Sequence, residues 1–491
     1  MAALCGSKEE IERRTPNIQH RTSTKRETQP RQSTALRREI FSKVWNASLI
    51  DTHEHLLDES DRLSVTDDWS VVLSGYLPWD LMTAGMPAKA QARFYAPGLS
   101  PLEKWRLLEP YWPAVKNTGY GQAARISLRQ LYGVGDLSAK TVETVQARFA
   151  AMRRPGFYRT ILCDLAGIES CQVNWAYPAA NQSNQFSVPF LESEMPTLLM
   201  QDLSLNYMFA GPPDLETIAR PAGIRVSNLA DWHRVIDWWF DKYGRYAVAV
   251  KTQDAYRREI DYRQIPPGEV AGVFRRKTRG QSVAPREQRA LEDHLFWYAV
   301  RKATEWDLPV KLHTGYWATV NAMPLSRLRH IAGSAGDLCR AAPDTRFVLM
   351  HMGYPYYEEL IAVAKQYTNA WVDLCWAWII NPVAAKDFLK KCLVTISANK
   401  ILAFGGDFLY VEQVLGHAVM ARQGIALALS ELVEEGWLRL ADAIELVDPI
   451  MRGNARRLFR LSEKEEILRS APWIKDTKRR RAGTSAGRSA G

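Results

Sequence analysis

Short apolar segments alternate with longer amphipathic segments over most of this chain. The apolar segments have the length of buried β-strands, and the segments between them repeat their apolar residues with the period of a helix. This alternation is typical of a parallel sheet covered by helices. Strands are predicted at 48–52, 170–174, 198–209, 246–251, 309–313, 346–351, 370–375 and 400–407. Helices are predicted between and after them, at 228–243, 286–306, 357–367, 383–395, 412–435 and 439–448.

Eight parallel strands can close into a (β/α)8 barrel, so we predict an α/β protein with the TIM-barrel fold. Residues 57–155, after the first strand, lack strand signals and contain helix-like segments at 102–108 and 140–152. We interpret 57–155 as a helical insertion over the barrel mouth. Residues 1–40 and 469–491 are polar and are predicted to be disordered tails that flank a barrel domain at 41–468.

The positive charge of the chain is concentrated at its two ends. The net charge is +10, with nine basic against five acidic residues in 1–40 and seven basic against one acidic residue in 469–491. The region between them is formally neutral, whereas a nucleic-acid enzyme carries positive charge on the folded surface that meets phosphates. We therefore expect no specific nucleic-acid partner, and nonspecific contact of the basic ends with acidic surfaces remains as the alternative.

Six cysteines are scattered along the chain without a CxxC pair. This pattern favours free thiols in a reducing compartment. No secretory signal is visible near the N-terminus, and no run of about 18 apolar residues could span a membrane. We expect a cytoplasmic protein with no membrane partner, and the sequence leaves open whether it forms a homo-oligomer.

Polar side chains of the kind that bind metals follow the predicted strands at the point where each strand ends. The positions are His53, His55, Lys251, His313, His351 and Asp407. In a parallel barrel these strand ends lie at one mouth, so residues that are distant in sequence converge there. Imidazole and carboxylate groups are ligands of Zn²⁺ and related cations. A single histidine at a strand end is more often a core residue, but the whole set predicts a metal centre.

Four motifs resemble those of the amidohydrolase superfamily. They are Asp51-Thr52-His53-Glu54-His55, Leu312-His313-Thr314-Gly315, Leu349-Met350-His351-Met352-Gly353-Tyr354-Pro355 and Gly405-Gly406-Asp407. A further segment, Val250-Lys251 followed by Ala255-Tyr256-Arg257, is similar to the branch that contains the amidohydrolase domain fused to glutamine synthetase-like proteins. The resemblance indicates the superfamily and leaves the substrate open.

The resemblance implies one or two divalent metal ions, with Zn²⁺ expected and Mn²⁺ as the alternative. His53 and His55 would bind one ion, and His313 and His351 would bind a second or complete the shell of the first. Asp407 would contact the metal and accept a proton from the bound water. Many two-metal members carry a carboxylated lysine at the position of Lys251. The alternative is a structural lysine paired with a nearby carboxylate.

The expected activity is that of a metal-dependent hydrolase, in which a metal-activated water attacks an amide, lactone or ester bond of a small molecule. Substrate contacts are predicted just past the strand ends, at Tyr256, Arg257 and Trp376. The alternative is a uronate isomerase-like enzyme or a non-oxidative decarboxylase of the same superfamily. The segment 104–106 resembles the isomerases, but the residues after Asp407 lack their Ser-Arg pattern. Lys251 also argues against both, because these groups typically lack that lysine.

Overall fold

The computed structural model describes residues 29–174, 189–209 and 215–474. Within these ranges the strands pair in parallel and in chain order, as β1-β2-β3 in one sheet and β4 to β9 in another. Parallel pairing in chain order is the topology of a barrel whose strands alternate with helices. The strands are β1 (Leu49–Glu54), β2 (Ile168–Val173), β3 (Leu199–Gln201), β4 (Leu203–Ser204), β5 (Val250–Thr252), β6 (Val310–His313), β7 (Phe347–Met350), β8 (Ala370–Asp373) and β9 (Ile401–Leu402).

Backbone hydrogen bonds join the two sheets at both of their edges. Between β3 and β4, the amide of Asp202 donates to the carbonyl of Val173 at 2.8 Å. The amide of Leu203 donates to the carbonyl of Ala249, the residue before β5, at 2.9 Å. At the other edge, Thr52 N donates to Phe404 O at 3.1 Å. Strand β1 therefore lies beside the segment that follows β9. The two sheets are thus adjacent at β3 and β4 and again at β9 and β1.

Two of the predicted strands differ from the observed ones for a structural reason. The strand predicted at 198–209 is divided at Asp202, where pairing passes from β2 to β5, and 206–209 is helical. The strand predicted at 400–407 stops pairing with β8 after Leu402, because Gly405, Gly406 and Asp407 turn towards β1. The strand predicted at 246–251 is also shorter, with pairing only over 250–252.

Helices fill the chain between the first two strands, as predicted for the insertion. They are α2 (Glu59–Ser64), α3 (Leu77–Thr83), α4 (Ala88–Tyr95), α5 (Pro101–Leu108), α6 (Trp112–Val115), α7 (Gly119–Tyr132) and α8 (Val142–Met152), preceded by α1 (Gln29–Asn46). The longest of them, α1 and α7, both pack against α19 (Val411–Glu434) of the barrel. The insertion is therefore part of the same folded body as the barrel.

The remaining helices follow the strands. They are α9 (Phe157–Arg159), α10 (Asn206–Phe209), α11 (Leu215–Ala219), α12 (Leu229–Tyr243), α13 (Pro267–Thr278), α14 (Pro285–Glu305), α15 (Ile331–Ala341), α16 (Glu358–Gln366), α17 (Ala377–Ile380), α18 (Pro382–Thr395), α19 (Val411–Glu434), α20 (Leu440–Asp448), α21 (Asn454–Leu458) and α22 (Leu461–Arg469). The six helices predicted after residue 220 match observed helices to within one residue at either end. Helices α9, α10, α11, α13, α15, α17, α21 and α22 were not predicted.

The structure moves the boundaries of the barrel domain outwards from those predicted at 41 and 468. Ile40 and Val44 of α1 are fully buried, and Arg37 forms an ion pair with Glu434 of α19 at 2.7 Å. Residues 29–40 are therefore helical rather than disordered, because α1 buries one apolar face. At the other end, Trp473 is buried. The disorder predicted for 1–28 and 475–491 stays a prediction, since these segments lie outside the described residues.

Five of the six cysteines fall within the described residues, and all five are free thiols. Cys5 lies outside the description. Among the helices that the structure describes, none combines the length and the apolar composition needed to cross a membrane. The free thiols agree with the expectation from the sequence.

We expect Ile40→Ala to lower the free energy of unfolding by about 2–5 kcal/mol, because it opens a cavity between α1 and the barrel. Arg38→Ala, at an exposed position of the same helix, is the matched control and should change it by less than about 0.5 kcal/mol. Denaturant unfolding of both variants measures the difference. Equal stability of the two variants would show that α1 does not contribute to the barrel.

Candidate metal centre at the barrel mouth

His53, His55 and Asp407 meet at the mouth of the barrel. The Nε2 atoms of His53 and His55 lie 3.2 and 3.3 Å from Oδ1 of Asp407. Both histidines belong to β1 or follow it directly, and their alternation along the strand allows both side chains to approach one carboxylate. All three side chains are at least nine-tenths buried. Three ligand atoms of this kind could hold one divalent cation.

Strand β1 fixes the position of Asp407 through three hydrogen bonds to the loop that carries it. Gly406 N donates to Asp51 Oδ1 at 3.0 Å, Asp407 N donates to His53 O at 2.8 Å, and Phe408 N donates to Glu54 Oε2 at 2.6 Å. We call these three bonds the β1 clamp. A Cβ on Gly406 would lie 1.7 Å from Glu54 Oε1, so only glycine permits this approach.

Asp51 and Glu54, the two carboxyl groups of the clamp, are both fully buried. Burial, followed by the proximity of Asp51, raises the pKa of Glu54 well above its usual range. Burial raises the pKa of Asp51 to about 6 even though Glu54 and two backbone amides hydrogen-bond to it. Of the two carboxyl groups, Glu54 thus has the stronger tendency to hold a proton, and its Oε2 accepts from Phe408 N.

His313 and His351 form a second pair of histidines at the mouth. Their ring centroids are 4.2 Å apart, and His351 Nδ1 is 4.0 Å from Asp407 Oδ2. A second set of potential ligand atoms consists of His351, Cys375 and Asp407, all within 4.8 Å of one another. Asp407 belongs to both sets, so the carboxylate stands between two possible metal positions.

Strained backbone conformations are concentrated at this centre. His351, Trp376 and Asp407 have positive φ, of 65°, 64° and 62°, and only seven non-glycine residues in the described ranges do. Such conformations cost about 1–3 kcal/mol each and persist where surrounding contacts impose them. Their coincidence with strand ends indicates that the fold places these side chains for a purpose other than stability.

The hydrogen bonding of the histidines tests whether the site fits a metal. His55 Nδ1 is 2.5 Å from Asn174 O, and His351 Nδ1 is 3.2 Å from Cys375 O. A backbone carbonyl that accepts from one ring nitrogen leaves the other as a ligand, and metal-binding histidines typically show this arrangement. Within the described residues, His351 Nε2, His53 Nδ1 and both ring nitrogens of His313 are buried without a hydrogen-bond partner. Unsatisfied buried nitrogens are costly, and the donor set fits a divalent cation.

Two buried lysines of the barrel differ in their surroundings. Lys311 Nζ is held 2.8 Å from Asp202 Oδ2 and 2.7 Å from Thr52 O. Lys251 Nζ lies 3.1 Å from His53 Nε2 and forms no ion pair with any carboxylate of the described residues. Burial lowers the pKa of Lys251 to about 8. The alternative expectation of a structural lysine paired with a carboxylate thus describes Lys311 rather than Lys251.

A cavity of about 250 Å³ opens directly above the candidate ligands. Its floor includes His55, His313 and Asp407, and seven of its lining residues are aromatic: Tyr76, Trp79, Tyr256, Tyr316, Trp317, Trp376 and Phe408. None of the described residues that line it is lysine or arginine. The helical insertion supplies Tyr76 and Trp79 to this cavity.

Tyr76 connects the insertion to the candidate centre. Its hydroxyl lies 2.6 Å from Asp407 Oδ2, to which it donates, and its ring stacks on Tyr120 at 5.1 Å. Tyr120 Oη in turn accepts from Trp376 Nε1 at 3.1 Å. No feature of the sequence identified Tyr76, because it precedes α3 in the insertion and follows no strand.

The structure brings most of the predicted site residues together. His53, His55, Lys251, His313, His351 and Asp407 all lie at the mouth, and Tyr256 and Trp376 line the cavity. Arg257 does not reach the cavity wall. Its guanidinium pairs with Asp254 at 2.6 Å and is half exposed. The prediction missed Tyr76, Cys375 and Asn174. Asn174 directly follows β2 and Cys375 lies two residues beyond β8, so both could have been found by the same strand-end criterion as the candidate histidines.

Comparison with known proteins identifies the fold and its relatives. The amidohydrolase family profile matches residues 227–461. Protein fluG of Emericella nidulans is 23% identical over 227 residues, which are 44% of this chain and 26% of that protein. This chain therefore matches about a quarter of the length of that curated relative.

Solved structures of similar fold cover most of both chains. A uronate isomerase of Thermotoga maritima has a TM-score of 0.69 at 14% identity, over 87% of this chain and 97% of its own. The glucuronate isomerase of Caulobacter crescentus has a TM-score of 0.70 at 15% identity, over 87% and 94%. A putative metal-dependent hydrolase of Lactobacillus casei has a TM-score of 0.58 at 14% identity, over 87% and 98%. These similarities confirm the predicted TIM-barrel class.

We expect Glu54→Ala to lower the free energy of unfolding by about 1–3 kcal/mol and to weaken zinc binding, because it removes one buried hydrogen bond of the β1 clamp and leaves Phe408 N without its acceptor. Glu54→Gln should stay close to the wild type, since its side-chain amide oxygen can still accept from Phe408 N. Denaturant unfolding and calorimetric zinc titration measure the two effects. An equal loss in both variants would show that the hydrogen bond from Phe408 N does not account for the effect of Glu54.

Proposed function

Because this chain belongs to the amidohydrolase superfamily, we propose that it is a metal-dependent hydrolase that cleaves an amide, lactone or ester bond of a small molecule. The observation that carries the proposal is the convergence of His53, His55 and Asp407 on the floor of an aromatic cavity. A water molecule and a substrate carbonyl would meet there, shielded from solvent by the insertion.

His53, His55 and Asp407 would hold the first metal, and His313 and His351 the second. When bound, such a divalent ion supplies a Lewis acid and lowers the pKa of water from 15.7 towards about 7. We expect zinc, because imidazole-rich sites of this kind suit it. The carbonyls of Asn174 and Cys375 would orient two of these rings by accepting from their Nδ1 atoms.

Asp407 is the group that would move the proton. Its Oδ1 faces His53 and His55, whereas Oδ2 receives the hydroxyl of Tyr76. As the attacking water forms its bond to the carbonyl carbon, Oδ2 accepts the water proton and then delivers it to the nitrogen or oxygen of the leaving group. Tyr76 would keep that oxygen aimed at the cavity during both transfers.

Lys251 would carry a carbamate formed from CO₂. Carbamate formation needs an amine that is not consumed by a salt bridge, and Lys251 lacks one among the described residues while Lys311 has one. The ammonium group would first lose a proton, and the neutral amine would then attack CO₂ and lose a second proton, so that a cationic side chain becomes an anionic carbamate. The negative charge would offset the repulsion between two cations.

Isomerisation of a sugar acid is the alternative, because two proteins of similar fold are named uronate or glucuronate isomerases. A substrate carboxylate is usually bound by arginine, whose two parallel hydrogen bonds match its geometry. Neither arginine nor lysine lines the cavity of the described residues. The aromatic walls favour a neutral substrate and therefore hydrolysis.

A screen of zinc-loaded protein against neutral aryl amides, lactones and esters, with glucuronate and galacturonate in parallel, tests the function. We expect hydrolysis of at least one neutral class, and its loss with the bound metal in the double variant His53→Ala/His55→Ala. His330→Ala, at an exposed position away from the candidate ligands, is the control and should keep both. Unchanged metal content in the double variant would overturn the ligand assignment, and turnover of uronates alone would establish the alternative.

Lys251→Ala should reduce the metal content from about two ions per chain to one or fewer, with severe loss of hydrolysis. Short carboxylic acids such as acetate should restore part of the activity by occupying the space of the carbamate. Lys251→Arg should not restore it, because a guanidinium stays protonated and cannot react with CO₂. Elemental analysis with activity assays checks these outcomes. A single metal that Lys251→Ala retains would identify Lys251 as a structural residue.

A further inference from the structure

Cys375 lies between the two elements that present His351 and Asp407. It follows strand β8, and its amide donates to Asp373 Oδ1 at 2.9 Å. Its carbonyl accepts from His351 Nδ1 at 3.2 Å, and its side chain is fully buried. A Cβ built on Gly405 would lie 3.0 Å from the Cys375 sulfur, so the thiol faces the loop that carries Asp407.

The thiol belongs to a set of potential ligand atoms that is separate from the pair of histidines on β1. Sγ of Cys375, one ring nitrogen of His351 and one carboxylate oxygen of Asp407 lie within 4.8 Å of one another. Ligand atoms that share a zinc ion are typically about 3–4 Å apart, given metal–ligand distances of about 2.0–2.3 Å. His351 Nε2 is fully buried without a hydrogen-bond partner among the described residues. This unsatisfied nitrogen is a second sign that a cation belongs here.

We propose that Cys375 is a thiolate ligand of the second metal position, together with His351 and with Asp407 shared between both positions. The inference rests on the proposed metal-dependent function. On binding, the sulfur loses its proton to solvent and forms a bond to the cation, as cysteine ligands do. His313, whose ring centroid lies 4.2 Å from that of His351, remains available as a further ligand.

A sulfur ligand has a consequence for the choice of metal. Thiolates select zinc and other soft cations, whereas manganese and magnesium prefer oxygen ligands. The first position, with two imidazoles and a carboxylate, discriminates less between these ions. We therefore expect the two positions to differ in metal preference, with the position of Cys375 selecting zinc, cobalt or cadmium over manganese.

Cobalt substitution detects a thiolate ligand by absorption spectroscopy and requires no substrate. The purified protein is stripped of metal, loaded with Co²⁺, analysed for cobalt content and examined by near-ultraviolet absorption. A thiolate bound to cobalt gives a charge-transfer band that imidazole and carboxylate ligands do not give. We expect the band in the wild type, its loss in Cys375→Ser and Cys375→Ala, and its retention in Cys392→Ser. Cys392 is the matched control, since it is equally buried and free but lies in α18.

The outcomes separate this inference from the proposed function. Cobalt bound by the wild type without the band, or a band that survives in Cys375→Ser, would overturn the thiolate ligand and leave the hydrolase proposal intact. Failure of the wild type to bind cobalt, zinc or cadmium would overturn both. We also expect Cys375→Ser to weaken cadmium binding by roughly tenfold or more while changing manganese binding little. Equal weakening of both ions would contradict the selective role of the sulfur.

Discussion

The site depends on the β1 clamp, the hydrogen bonds by which the first strand holds the loop at 406–408. These bonds hold Asp407 in a left-handed backbone conformation, with its carboxylate within 3.3 Å of two imidazoles. The clamp also joins the first strand of the barrel to the segment after the last. One set of hydrogen bonds therefore joins the first strand to the segment after the last strand and brings the candidate metal ligands together.

The same constraint explains residues whose importance is not evident from their own chemistry. Gly405 and Gly406 lack side chains because Cys375, Thr52 and Glu54 occupy the space where a Cβ would lie. Glu54 lies buried beside Asp51, where it reaches Phe408 N, and this burial raises its pKa. The residues around the candidate metal centre thus adopt conformations that lower stability, as the positive φ angles of His351 and Trp376 also indicate.

The sequence was sufficient for the barrel class and for most of the candidate ligands, because both follow from strand periodicity. A residue at the end of a parallel strand must lie at the mouth, whichever strand carries it, so Lys251 and His313 could be placed together. Tyr76 could not, since its approach to Asp407 depends on how helices of the insertion pack. Arg257 was misplaced for the same reason: its neighbour Asp254, rather than the cavity, determines its direction. Helix α1 was missed because its apolar face is short and lies in a basic, polar context.

The barrel strands position the candidate metal ligands, whereas other parts of the chain form much of the cavity. The candidate metal centre is built from strand ends, and much of the cavity wall comes from helices and loops outside the barrel strands. Tyr76 joins the two, because its ring lines the cavity while its hydroxyl contacts Asp407 Oδ2. A molecule that displaced this ring would also break its hydrogen bond to Asp407. The cavity wall and the candidate ligands are therefore coupled through one residue of the insertion.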